Sequence, residues 1–184
     1  MSSISLPSSL EEIPCGLCKD APISSIKEWG GAKQIGSYAF YNNRIPTLEL
    51  KDSIEEIGEY AFSAEYYPTN IIIPPSIKKI GKYAFALGRY DRTVSKTVTI
   101  MDLAAWCQVE IETAQGSPFF SEWSDWYGAK PYNKLIINGE IVTDLRIPSG
   151  VTSISDYAFY GLNTLERIVL PEGVNAVGDY SFYA

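Results

Sequence analysis

Cys15 and Cys18, in Cys15-Gly16-Leu17-Cys18, have the C-x-x-C spacing with which thiols exchange disulfides or begin a zinc site. The chain holds 3 cysteines, the third being Cys107, and no histidine, so neither a four-thiolate nor a cysteine–histidine zinc site can be completed. The same lack of histidine removes the Ser–His and Cys–His nucleophile pairs. A redox pair would further need a strand-to-helix context that depresses a thiol pKa. Among 22 acidic residues, no spacing pairs two as a glycosidase acid and nucleophile. These residue types carry no catalytic, cofactor or metal assignment.

Aromatic residues form the other chemical cluster. Phe119, Phe120, Trp123, Trp126, Tyr127 and Tyr132 fall within SPFFSEWSDWYGAKPY at 117–132. Phe119 and Phe120 read as core. Trp123 and Trp126, set among polar residues, have two readings. Exposed, they and Tyr127 would stack on sugar rings or anchor a protein partner; otherwise they cover a core where the chain is irregular.

The bulk composition limits the partners. A net charge of −7 argues against nucleic acid, whose phosphates need a Lys/Arg-rich face, and suits solubility. No apolar run approaches the ~20 residues of a membrane span, and no charged start with an apolar stretch marks a signal peptide. The opening MSSISLP is already in the rhythm described next, so a missing leader weighs little. Membrane insertion is not expected.

Ile-Gly-x-Tyr-Ala-Phe or a close variant occurs as IGSYAF (35–40), IGEYAF (57–62), IGKYAF (80–85), ISDYAF (154–159) and VGDYSF (177–182). Phe40, Phe62 and Phe85 lie 22 and 23 residues apart, and Phe159 and Phe182 lie 23 apart. A fixed period of this length means a solenoid, in which each unit buries its apolar face on its neighbours. The fullest units, IIIPPSIKKIGKYAF (71–85) and IVLPEGVNAVGDYSF (168–182), read as a short β-branched strand, proline, a second apolar pair, glycine and an aromatic segment. Proline at 7, 74, 148 and 171 ends strand pairing, and Trp29 stands where one unit expects it. Glycine at 36, 58, 81 and 178 suits either positive φ or close backbone approach. The Tyr-Ala-Phe segment is short enough for a 3₁₀ or single helical turn. The register also puts Cys18 at a phenylalanine position, as a small apolar stand-in.

The rhythm fails for 74 residues between Phe85 and Phe159. That interval contains a TVTI strand (97–100), LAAWCQVEI (103–111), the aromatic stretch, and LIINGEIV (135–142), where Asn138-Gly139 signals a two-residue hairpin.

These units resemble the BspA-type leucine-rich repeats, which read roughly L-x-x-I-x-I-P-x-x-V-x-x-I-G-x-x-A-F; TLERIVLPEGVNAVGDYSF at 164–182 is a close match. The LAAWC segment and the NGE-x-V-T-D-L-x-I-P block also resemble an irregular unit of that family. The resemblance covers essentially the whole chain. It implies one mostly-β solenoid over residues 1–184, built of short parallel strands and short turns, with an irregular unit at about 101–144. It also implies a ligand-facing concave sheet, and proteins of bacterial or protozoan surfaces linked to adhesion. It carries over no catalytic residue.

Period-2 alternation in the strands gives the outward row Ser5, Lys27, Glu49, Ile72, Thr99, Arg146 and Val169. It is flanked by Ser25, Thr47, Asn70, Thr97, Asp144 and Arg167. The expected function is non-catalytic binding of a protein or glycan through this row and the aromatic stretch, at a cell surface. An intracellular interaction scaffold is the alternative, favoured by the missing leader and free cysteines. The chain stops at Tyr183-Ala184 without a polar capping unit, so further repeats or an oligomer partner are expected at that end.

Overall fold

Each repeat supplies two strands, and a computed structural model shows the result as a β-solenoid of about 7 turns. It describes residues 2–64, 68–86, 95–121 and 131–184. One row contains β1 (Ser2–Ser5), β3 (Ile23–Glu28), β5 (Thr47–Glu49), β7 (Asn70–Ile73) and β9 (Thr97–Ile100). The second row contains β2 (Glu12–Ile13), β4 (Gln34–Ile35), β6 (Glu56–Ile57), β8 (Lys79–Ile80) and β10 (Glu110–Ile111). The one α-helix among the described residues, α1 (Leu103–Trp106), opens the irregular unit. After it come β11 (Lys134–Ile137), β12 (Glu140–Val142) and β13 (Asp144–Arg146). β14 (Ser153–Ile154), β15 (Arg167–Val169) and β16 (Ala176–Val177) complete the last two turns.

All pairing between turns is parallel, and between consecutive regular turns such as β4, β6 and β8 the register is that of the sequence period. Leu48, Ile71, Val98 and Leu135 are aligned across β5, β7, β9 and β11, and all four are buried. Ile13, Ile35, Ile57, Ile80 and Ile111 form the matching column in the second row. Ala39, Ala61, Ala84 and Ala158 have no exposed surface, so a larger side chain has no room there. After β1, β3, β5, β7, β13 and β15 comes a tight turn: Leu10 donates to the Pro7 carbonyl at 3.0 Å and Val174 to Pro171 at 3.1 Å. Trp29 does take the proline's place, its carbonyl accepting from Ala32.

Phe40, Phe62 and Phe85 stack, with ring centroids 5.5 and 5.8 Å apart. Phe159 and Phe182 stack at 5.2 Å. Cys18 occupies the first place in this series: it is buried, its N–H donates to Ala39, and burial raises its thiol pKa. All three cysteines are free thiols.

The aromatic segment is not helical. Ala39 donates to Gly36 and Tyr41 to Tyr38, which makes two overlapping turns. The positive φ lies not on the glycine but two residues later, on Tyr38, Tyr60, Tyr83, Tyr157 and Tyr180, at 54–59°. Glycine is required for the other reason weighed above: a Cβ on Gly58 would come within 2.6 Å of the Ser37 nitrogen in the preceding turn. Ser155 sits at a corner whose preceding layer is the irregular unit, its N–H donating to Cys107.

In the irregular unit Trp106 and Phe119 replace the missing repeats as core. Trp106 is edge-on to Phe119 at 6.4 Å, and Phe119 meets Phe159 at 6.4 Å. The Trp106 Nε1–H donates to the Ala158 carbonyl at 3.0 Å, joining this unit to the next turn. Lys96 is buried with its Nζ 2.6 Å from the Phe120 carbonyl, and desolvation lowers its pKa to about 7.

At the C-terminal end the core positions are open. Ile168, Leu170 and Val177 are 38%, 41% and 48% exposed, whereas their counterparts one turn earlier, Leu145, Ile147 and Ile154, are 0%, 5% and 2% exposed. No helix among the described residues is long and apolar enough to cross a membrane.

Phe62→Ala, at the centre of a three-ring stack, is expected to cost about 3–5 kcal/mol, read as a lower urea midpoint. Lys96 gives a pH signature. Its folded pKa lies below the ordinary lysine value, so between the two the unfolded chain binds more protons and stability rises with pH. From pH 7 to 8.5 the wild type should gain of order 1–2 kcal/mol relative to Lys96→Met. Parallel pH profiles for the two proteins would contradict this.

Candidate functional site

The strand face is built by alternation: Leu48 and Ile71 point inward, so Glu49 and Ile72 point out. The register places Glu49, Ile72, Thr99 and Ile136 side by side on β5, β7, β9 and β11. On the flank, Thr47, Asn70, Thr97 and Lys134 make a parallel row. Glu49 is exposed, and Ile72 and Thr99 are half-buried.

The seven residues read above as the outward row do not fall in one ladder. β11 stands next to β9, so Ile136, not Arg146, follows Thr99. Arg146 and Val169 pair instead in a separate two-stranded sheet of β13 and β15. The physical reason is the insertion: the irregular unit adds a strand to this row before the regular repeat resumes. At the start, the β1–β3 register slips, and Ser5 lies opposite Glu28 rather than Lys27.

Asn138 and Gly139 have φ of 52° and 81°, both positive as a two-residue hairpin between β11 and β12 requires. Only Thr143 then separates β12 from β13. Strand pairing thus switches from β11 on one side of Thr143 to β15 on the other. The switch opens a groove of about 770 Å³ bounded by Met101–Ala104, the hairpin and residues 142–148. Met101 and Ile141 are 60% and 56% exposed beside it.

Charge at the groove is organised around Asp144. Arg167 grips it with Nε at 3.1 Å and a terminal nitrogen at 2.5 Å, and Arg146 adds a bond at 3.0 Å. The Arg167 hydrogen bond leads the causes that hold the Asp144 carboxyl below its ordinary pKa. Arg146 and Arg167 were expected in one outward surface, and the structure does bring them together, through this carboxylate. It does not bring them against Glu49, Ile72 or Thr99 in one ladder.

Trp123, Trp126 and Tyr127 lie outside the described residues. Tyr132 is 63% exposed, while Phe119 and Phe120 are buried as expected. Among the described residues no group of three metal-ligating side chains is placed to hold an ion.

Sequence reasoning missed Asn133, which fixes the insertion in the stack. Its side-chain oxygen accepts from the Lys96 N–H at 3.0 Å, and its amide donates to Phe119 at 2.7 Å and Gly161 at 2.9 Å. Asn43 performs the same task earlier, donating to Cys18 and Tyr41 and accepting from the Ile23 N–H. An asparagine three residues beyond a repeat phenylalanine was the available signal at 43; at 133 the repeat is interrupted and the signal is lost.

A family model described as "BspA type Leucine rich repeat region" matches residues 1–106 and 137–184 in 6 copies. The chain belongs to the BspA-type leucine-rich repeat family. In a repeat of this family the solenoid is a scaffold whose stacked strands create an extended surface for a partner. Residues 107–136, between the matched stretches, hold Phe119, Phe120 and Asn133. No curated protein and no solved structure matches the chain.

Asn133→Ala leaves buried groups on three segments without a partner, at about 1–3 kcal/mol each where water cannot replace it. A total loss of at least roughly 3 kcal/mol is expected, measured by urea unfolding, together with faster amide exchange at Lys96.

Proposed function

We propose that this BspA-type repeat is a non-catalytic recognition module that binds a protein or glycan at a cell surface. The observation that carries the reading is the strand face. Four strands in unbroken register present Glu49, Ile72, Thr99 and Ile136, mixing one charge, one hydroxyl and aliphatic side chains. Such a surface suits contact with another molecule, since it places no acid and base together for proton transfer. Family membership supports a protein-interaction or adhesion module. Trp123, Trp126 and Tyr127 belong to this proposal as aromatic anchors, on the strength of their sequence context alone. The open C-terminal core face offers a further surface of the same repeat chemistry, which another such turn would cover, whether on this chain or a second one.

The test is a glycan array and a panel of purified extracellular proteins, followed by affinity measurements on variants. Glu49→Lys with Thr99→Lys, and separately Trp123→Ala with Trp126→Ala, should each weaken binding at least tenfold while the melting temperature moves by only a few degrees. Binding unchanged in both double variants, or turnover of an arrayed substrate, would overturn the proposal. For the tryptophans, a large fall in melting temperature with intact binding would assign them to the core.

A further inference from the structure

The groove beside β13 differs from the strand face in offering backbone as well as side chains. Thr143 accepts from the Arg167 N–H at 3.1 Å, and Ile147 donates to Val169 at 3.0 Å. The odd-numbered residues of this strand thus turn their peptide groups to β15. In a parallel ladder alternate residues bond to opposite sides, so the N–H and C=O of Asp144 and Arg146 face away from β15. Among the described residues no other strand pairs with β13 there. β12, which continues into β13 through Thr143, is itself the last strand of its sheet.

Open edges of this kind are sites at which an extended chain adds as a further strand. The groove volume, about 770 Å³, lies within the ~300–1,000 Å³ usual for ligand sites. Its walls offer the exposed Met101 and Ile141, and methionine adapts readily to different apolar partners. The charge balance selects the occupant. Arg146 and Arg167 outweigh the Asp144 carboxylate they hold by one charge, whereas Asp102, which also caps α1, and Glu140 line the groove and take part in no ion pair among the described residues. These five groups leave a net charge of −1 at the groove.

We propose that this groove binds an extended peptide segment bearing a lysine or arginine beside an apolar residue, and that the segment pairs with the open edge of β13. The inference rests on the reading of the protein as a recognition module and names a partner chemistry for one of its surfaces.

The test uses the intact chain and two synthetic decapeptides that alternate valine and threonine, one carrying three lysines and the other three glutamates. Fluorescence anisotropy should show the lysine peptide binding at least tenfold more tightly, and its binding should slow amide exchange at Asp144 and Arg146. Arg146→Pro removes the groove-facing N–H while sparing the bonds to β15, and should weaken binding at least tenfold more than Arg146→Ala. Glu140→Lys, on the exposed hairpin, should close the gap between the two peptides even if the proline variant folds poorly. Equal affinity for both peptides, absence of binding, or no exchange protection at Asp144 and Arg146 overturns the proposal. If the peptides fail while the Glu49/Thr99 double variant still loses its partner, only the groove inference falls; failure of both removes the recognition reading as well.

Discussion

Each regular turn of this solenoid sets its phenylalanine on that of the neighbouring regular turn, and most of the local structure follows from this one requirement. Phe40 and Phe62 stack at 5.5 Å with planes 3° apart, and the 23-residue turn to Phe85 keeps the stack at 5.8 Å, so the extra residue is absorbed away from the rings. The alanine column gives the rings room, and the glycine corner lets successive backbones approach more closely than a Cβ permits. The tyrosine before each phenylalanine adopts positive φ so that its own N–H and the phenylalanine N–H both reach the next turn. Tyr38 donates to Glu59 and Phe40 to Ala61 in this way. A left-handed conformation at a non-glycine residue costs roughly 1–2 kcal/mol. The stacked tyrosine rings, 5.0 and 4.9 Å apart from Tyr38 through Tyr83, offset part of that strain.

Much of this was legible in the amino-acid sequence because it is periodic. The phenylalanine spacing, the proline after the strand, the isoleucine columns and the Asn138-Gly139 hairpin are local or repeated signals, and each has a local physical cause. The corner glycine left positive φ and close backbone approach both open, and the tyrosine two residues later, a residue type that rarely takes positive φ, gave no sign that it does so. Only Gly16, which takes the tyrosine's place in the first turn with φ of 66°, hints at the true position. The outward row went wrong for a different reason. Counting repeats cannot reveal that β11 enters the ladder between β9 and the next turn, since the partners Leu135 and Val98 lie outside any common period.

The irregular unit solves a packing problem that the regular repeat never meets. It must carry the core across the interval without the usual rings, so Trp106 and Phe119 meet edge to face where the repeats stack in parallel. Polar groups buried in the process need partners that secondary structure does not supply. Asn133 links segments separated by up to 37 residues, and Lys96 reaches the Phe120 carbonyl. A buried amine held by a carbonyl is expensive in desolvation, which is why its pKa falls to about 7. Such pairings have no short-range signature, and they are the part of the fold that one sequence leaves unreadable.

A solenoid in perfect register has little backbone to offer a partner, because each turn consumes the N–H and C=O groups of its neighbours. Along its flank it can present only side chains, as β5, β7 and β9 do. Backbone becomes available where the register is interrupted, and within this chain that happens at Thr143, where pairing passes from an antiparallel hairpin to a parallel turn. The Asp144–Arg146–Arg167 cluster sits at this junction and neutralises the one carboxylate on β13 itself. The same irregularity that demands Asn133 and Lys96 inside the core thus exposes a strand edge outside it. The insertion's structural cost and its capacity for recognition have a common origin in the extra strand β11.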